Sequence, residues 1–199
     1  MTNLASSRPR RIVEWSLTLL ALLLALHLFS TVATAVEERP GALLADPLLA
    51  ILPIVDLTWP IFFLIYGGIL AAVVLLWRYP ARILHLLRAY TLLLLVRCIT
   101  LWITPLDPPT GMIVLNDPVA GLGPGGALTR DLFFSGHTAT FVLLALAMPK
   151  RSLRIGFFVG CVVLAAMLLL QHVHYTVGVI AALFVAWGCW EVWGGEFAQ

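Results

Sequence analysis

Five side chains in this sequence have the types and placing to do chemistry. Arg97 interrupts one long apolar run, Ser135 and His137 open a second behind Asp131, and His172 and His174 sit between two more, although His172 would point about 200° away from His174 on a helix and reads as a structural hydrogen-bonding residue. Placing such groups in apolar surroundings is costly unless they face a wet cavity or one another. Together they suit phosphoryl transfer. One histidine can attack phosphorus and carry it as a phospho-histidine. A second can protonate the leaving oxygen and later deprotonate an acceptor. An arginine can hold phosphoryl oxygens through paired N–H bonds and offset their charge. Ser135-Gly136 at a helix start would add backbone N–H donors for an anion. No His, Cys, Asp or Glu spacing asks for a metal, and no cofactor is expected. Cys98, Cys161 and Cys189 each lie in an apolar run, and an odd count makes no disulfide framework.

The elements that must position these groups are membrane helices. Of the 199 residues, 61% are hydrophobic and 11% charged, against about 25% charged in a soluble domain. Such a chain cannot cover itself with polar surface, which excludes an ordinary soluble enzyme and a disordered protein. A net charge of +2, scattered along the chain, excludes a nucleic-acid binder. The apolar residues come in unbroken blocks without strand alternation, so a β-barrel is excluded too. The expectation is an all-α, six-span transmembrane bundle forming one domain over residues 15–193. Its spans lie near 15–36, 59–77, 83–104, 132–148, 153–170 and 174–193, with short tails at 1–14 and 194–199. Ala33-Thr34-Ala35 resembles a signal-peptidase site, but the length of the first run makes it an uncleaved helix.

Basic residues set the expected direction. Arg8, Arg10 and Arg11, then Arg78, Arg82 and Arg88, then Lys150, Arg151 and Arg154 all fall on one side of a six-span chain. That side should be cytoplasmic. Both tails then face the cytoplasm, in a membrane of bacterial inner-membrane type. Arg97, Ser135, His137, His172 and His174 gather toward the periplasmic or exterior face. Two long connections lie on that face. Residues 37–58 hold Pro40, Pro47 and Pro53 among leucines and should include a short amphipathic segment in the interface. Residues 105–130 are richer still in Pro and Gly, and a loop of that length usually carries function. His85 is expected at the cytoplasmic surface, and Trp59, Trp77, Trp102, Trp190 and Trp193 in interface belts.

Four segments carry a resemblance. Asp131-Leu132-Phe133-Phe134-Ser135-Gly136-His137-Thr138 resembles the third motif of the sphingomyelin synthase family, and His174-Tyr175-Thr176-Val177 the start of its fourth. Residues 97–106, from Arg97 through Thr100 and Thr104 to Leu106, resemble its second motif, and Leu52-Pro53-Ile54-Val55-Asp56 weakly resembles its first. That family sits within the type 2 phosphatidic acid phosphatase superfamily, which shares the Ser-Gly-His and His motifs. The resemblance implies an integral-membrane lipid phosphotransferase or phosphohydrolase. It would take a phospho-headgroup from a phospholipid and pass it to ceramide, diacylglycerol or water, the last as a lipid phosphatase or phospholipase C-type hydrolase. His174 would be the nucleophile and His137 the general acid/base. Arg97, Ser135, Gly136 and Arg130 would bind substrate, with the bilayer itself as partner.

One departure stands out. The family has an Asp four residues after the second histidine, where this chain has Gly178. On a continuous helix that Asp would share a face with His174 and orient it. Three readings stay open: another outer acid substitutes, with Asp131, Asp117 and Asp107 as candidates; an inactivating change is present; or the protein is a non-catalytic relative that binds lipid or scaffolds. Asp131 also reads as a plain helix cap. Thr129-Arg130 replaces the synthases' Cys-Gly before Asp131, which opens the question of the acceptor.

Overall fold

The computed structural model describes residues 7–115 and 128–193. Six helices follow in order: α1 (Ser7–Glu37), α2 (Thr58–Leu76), α3 (Pro80–Ile103), α4 (Gly136–Ala147), α5 (Arg151–Leu170) and α6 (Thr176–Glu191). Among the described residues the one β-type pairing outside them is an isolated bridge between Ala42 and Leu106. The all-helical expectation matches. Local chemistry sets the ends. Pro80 begins α3, where its missing N–H costs nothing. Ser135 caps α4 by accepting from the Thr138 N–H. Pro149 holds Met148 in an extended conformation, which stops α4 one residue earlier.

Of the six expected spans, α1, α2, α3 and α5 are long and apolar enough to cross a membrane. At 12 and 16 residues, α4 and α6 reach about 18 and 24 Å, short of a hydrocarbon layer of about 30 Å. The missing length is apolar but not helical. Leu132, Phe133 and Phe134 precede α4 as a bent strap, and Gln171–Tyr175 forms a tight turn before α6. Only burial explains how these residues can be both apolar and irregular. Leu132 and Phe134 are sealed from solvent, and the Ser135 N–H that follows them donates to Gly178 O.

The core centres on α4. Phe141, Leu143 and Ala147 pack with Ile61 and Leu76 of α2, Leu93 of α3, Leu164 and Leu168 of α5, and Ala182 and Ala186 of α6. A helix apolar all round belongs in such a centre. The other helices turn much apolar surface outward; Phe63, Ile99, Val162 and Phe184 are each more than half exposed, as lipid-facing positions require. Where α2 gives way to α3 and α4 to α5, basic residues collect. Arg82 donates to the carbonyls of Ala147 and Met148, and Arg88 reaches Thr18 Oγ1 and Glu14. His85 is buried there, not at the surface, with its Nε2 3.1 Å from the Trp190 carbonyl and its ring against the Trp190 indole. Trp190 is thus a core residue and not part of an interface belt.

At the opposite end the connections knit together. Residues 38–57 form no amphipathic helix. They hold a single turn, closed by Ala50 N–H to Asp46 O and Leu52 N–H to Leu48 O and followed by Pro53. The Ala42 N–H donates to Pro105 O, and the Ala42 carbonyl accepts from the Asp107 N–H. Gln171, wholly buried, accepts from the Leu57 N–H at 2.8 Å and donates to Thr58 Oγ1 at 2.9 Å and Ile113 O at 3.1 Å.

Candidate active site

The knitted end is where the chemistry-bearing side chains meet. Arg97 comes from the last third of α3. Its Nη2 donates to Asp131 Oδ2 in a mostly buried ion pair. Its guanidinium lies 4.4 Å from the centre of the Phe29 ring of α1, a cation–π distance. It also lies against the first residue of α4, where a Cβ on Gly136 would collide with it. Glycine is the residue that lets the guanidinium come this close to a helix start.

His137 is the second residue of α4. His174 lies in the turn before α6 and is 4% exposed. His174 lies close enough to His137 and Arg97 for both to oppose its protonation. Burial, reinforced by the positive charges of His137 and Arg97, pushes its pKa down to about 3. The ring is therefore neutral throughout the physiological range, with a lone pair available. Arg97, His137 and His174, widely separated in sequence, thus share one place.

Other expected site residues are placed as follows. Ser135 is fully buried, its Oγ accepting from the Thr138 N–H and Oγ1. Its own N–H donates to Gly178 O at 3.1 Å. Asp131 faces Arg97. Asp107 is bound to Arg130 Nε at 3.0 Å and to the Gly41 N–H at 3.1 Å. Arg130 donates its backbone N–H and Nη1 to Glu37, so it ties α1 to the α4 strap. Asp117 and the tail at 194–199 lie outside the described residues. His172 adopts φ 55° and holds the Thr110 carbonyl with Nδ1. Positive φ is uncommon for a residue with a Cβ, and here it makes the turn after α5.

The arrangement corrects the helical picture of His174 and Gly178. His174 precedes the helix, so the two do not share a face one turn apart. Nor is there room at 178. A Cβ there would sit 2.9 Å from both the Leu132 and Phe133 carbonyl oxygens. A Gly178→Asp exchange, the obvious repair by sequence, would force backbone apart.

Asp46 escaped the sequence reading. It accepts from the Thr176 N–H at 2.6 Å and Thr176 Oγ1 at 3.0 Å, and from the Leu48 and Leu49 N–H groups. It thereby pins the 38–57 loop to the start of α6, two residues past His174. Burial raises its pKa, but those hydrogen bonds outweigh this and hold it below the usual carboxylate value. The one available signal was an acid before Pro47 in a leucine-rich loop. Several buried polar atoms at this end have no protein partner: Arg97 Nε, Asp131 Oδ1, His172 Nε2 and His174 Nδ1. Native interiors rarely leave such atoms unmatched, and a bound polar ligand is one way to satisfy them.

Comparison with known proteins bears on the same segment. No curated protein matches the chain. Residues 130–195, about a third of its length, match the family described as PAP2 superfamily C-terminal, and the matched region carries Asp131, Ser135, His137 and His174. With its apolar helices, the chain fits a membrane protein of lipid phosphatase type whose C-terminal third is similar to the type 2 phosphatidic acid phosphatase superfamily.

Proposed function

We propose that this protein moves phosphoryl-containing headgroups on membrane lipids through a phospho-histidine at His174. The observation that carries the reading is the meeting of Arg97, His137 and a neutral His174 at one end of the bundle. In the first step a bare ring nitrogen of His174 attacks phosphorus. The P–O bond to the lipid breaks as the P–N bond forms, and protonated His137 gives its proton to the departing oxygen. In the second, an acceptor hydroxyl gives its proton to His137 while its oxygen attacks phosphorus. The P–N bond breaks, and His174 returns neutral. Arg97 and the backbone N–H groups at the start of α4 hold the phosphoryl oxygens, whose negative charge peaks in the transition state. Asp131 keeps the guanidinium in place, and Arg130 fixes the strap by way of Glu37 and Asp107.

The sphingomyelin synthase resemblance supports transfer to a lipid hydroxyl, with ceramide or diacylglycerol as acceptor and a phospholipid as donor. Hydrolysis is the same second step with water. The basic clusters support an orientation with this site away from the cytoplasm. Gly178 motivates the competing reading, a relative without activity that binds lipid.

The test is purified protein in vesicles with headgroup-labelled phospholipids and ceramide or diacylglycerol, products being resolved. Turnover is expected in the wild type. His174→Ala is expected to lose at least about three orders of magnitude and to trap no phospho-enzyme. His137→Ala should accumulate label on the protein. Unchanged turnover in His174→Ala overturns the nucleophile. A silent wild type that still binds phospholipid favours the inactive relative.

A further inference from the structure

Three arginines lie toward the end of the bundle that holds the candidate site: Arg39, Arg97 and Arg130. Two are paired with acids, Arg97 with Asp131 and Arg130 with Asp107. Arg39 has no acid partner among the described residues. Glu37 is taken up by Thr129 and Arg130, and exposed Glu38 forms no ion pair with it. Yet Arg39 is held in place. Its Nη1 donates to the Trp102 carbonyl at 3.1 Å, and its guanidinium stands 4.7 Å from the centre of the Trp102 ring. A fixed cation with N–H donors to spare and no counter-charge suits an anion.

An apolar cleft adjoins it. Leu28 and Val32 of α1 and Cys98, Ile99, Trp102 and Ile103 of α3 line about 280 Å³. That is close to the smaller end of ligand clefts, roughly 300 Å³. Leu28, Ile99, Trp102 and Ile103 are exposed, so the cleft opens outward from the bundle, on the side that faces lipid. Trp102 belongs to both features: it holds Arg39 and forms one wall. The two helices run the same way along one seam, since Glu14 and Thr18 meet Arg88, Phe29 meets Arg97, and Arg39 meets Trp102. The cleft thus fills the last stretch of the seam, with the cation where the helices end and apolar walls on the membrane side of it. Trp102 stands five residues past Arg97, about 7–8 Å along α3. An anion on Arg39 is therefore a different anion from one on Arg97.

We infer that this seam binds one membrane phospholipid, its phosphate on Arg39 and an acyl chain in the cleft between α1 and α3. The order of the two features is the order within the lipid, a negative head at the interface and hydrocarbon beneath it. A free phosphate would leave the cleft unfilled, and a diacylglycerol would leave the cation without a partner. The site is separate from the one around His174 and requires no chemistry there.

The test is photolabelling in micelles of a neutral detergent, where loosely held lipid exchanges for detergent. The probe is a phosphatidylcholine with a diazirine in one acyl chain. Labelled peptides are mapped by mass spectrometry, and the headgroup is confirmed intact. Labelling at 28–32 and 98–103 is expected to saturate at one lipid per chain and to be displaced by unlabelled phosphatidylcholine. Labelling near Phe63, Val162 and Phe184 should rise without saturating. A diacylglycerol bearing the same photoreactive chain should not saturate at the seam. Arg39→Gln should raise the half-saturating concentration about tenfold, the scale of one lost charge-assisted bond, and Arg151→Gln at the opposite end should not change it. Ile99→Trp, which fills the cleft, should abolish saturable labelling without lowering the melting temperature. Labelling spread evenly over the lipid-facing helices overturns the site. So does a diacylglycerol that binds as well as the phospholipid, or an Arg39→Gln protein with unchanged saturation. Disulfide-linked dimers of Ile103→Cys that exclude the probe would give the cleft to a second copy of the chain, and overturn it too.

Discussion

His174 is buried beside His137 and Arg97, so its protonation is linked to folding. Its value falls from about 6.5 in an unfolded chain to about 3 in the folded one. Between those values the unfolded chain holds the extra proton. Stability is therefore intact above the unfolded value and declines as pH falls through this window, by about 1.4 kcal/mol per pH unit. Thermal unfolding in detergent should show a steeper acid decline in the wild type than in His174→Asn. Asp131 makes a second prediction. It supplies the counter-charge to a mostly buried Arg97, and breaking such a pair costs about 3–5 kcal/mol. Asp131→Asn should melt lower, and inorganic phosphate should recover part of the loss by supplying negative charge to the guanidinium. An equal phosphate effect on wild type and variant would count against Arg97 as the phosphoryl-binding group. These polar residues were legible in the sequence because charge and imidazole are conspicuous in apolar runs. That main chain fills the side-chain volume at Gly178 was not, because a backbone atom leaves no trace in residue type.

Helix ends decide what each element presents. Ser135→Ala removes the acceptor for the Thr138 N–H and should cost about 1 kcal/mol, the usual worth of such a cap. Asp46→Ala should cost more. It strips one N–H partner from the start of α6, two from the 38–57 turn, and the tie between them. Its turnover should fall further than that of Ser135→Ala, because the freed segment carries His174. Comparison of melting temperature and turnover for the two variants checks this ordering. The six helices were readable from apolar runs, and α2, α3 and α5 begin and end close to expectation. Helices α4 and α6 begin four and two residues after the expected span starts. Leu132, Phe133 and Phe134 are apolar because they are buried, and burial in an irregular strap looks like burial in a span. The short amphipathic segment expected in 37–58 is a single turn, which Asp46 opens by capping the Leu48 and Leu49 N–H groups and Pro53 follows.

At the scale of the molecule, basic residues mark one end and the proposed site the other. Cysteine labelling can read which way it sits, because Cys98, Cys161 and Cys189 are buried and quiet. With an impermeant maleimide, Glu38→Cys should label in intact cells, and Arg151→Cys only after permeabilisation. The reverse pattern would turn the site toward the cytoplasm. The shortness of α4 and α6 carries a further consequence. Their starts hold or adjoin both histidines, and each helix is shorter than the hydrocarbon layer, so under the proposed reaction phosphorus would have to come down to meet them. A thin bilayer brings headgroups nearer, while a thick one lifts them away or must dimple around the protein, at a modest cost for each ångström. Acyl-chain length then acts as a throttle: turnover in short-chain nanodiscs should exceed that in long-chain ones, although no atom of the protein has changed.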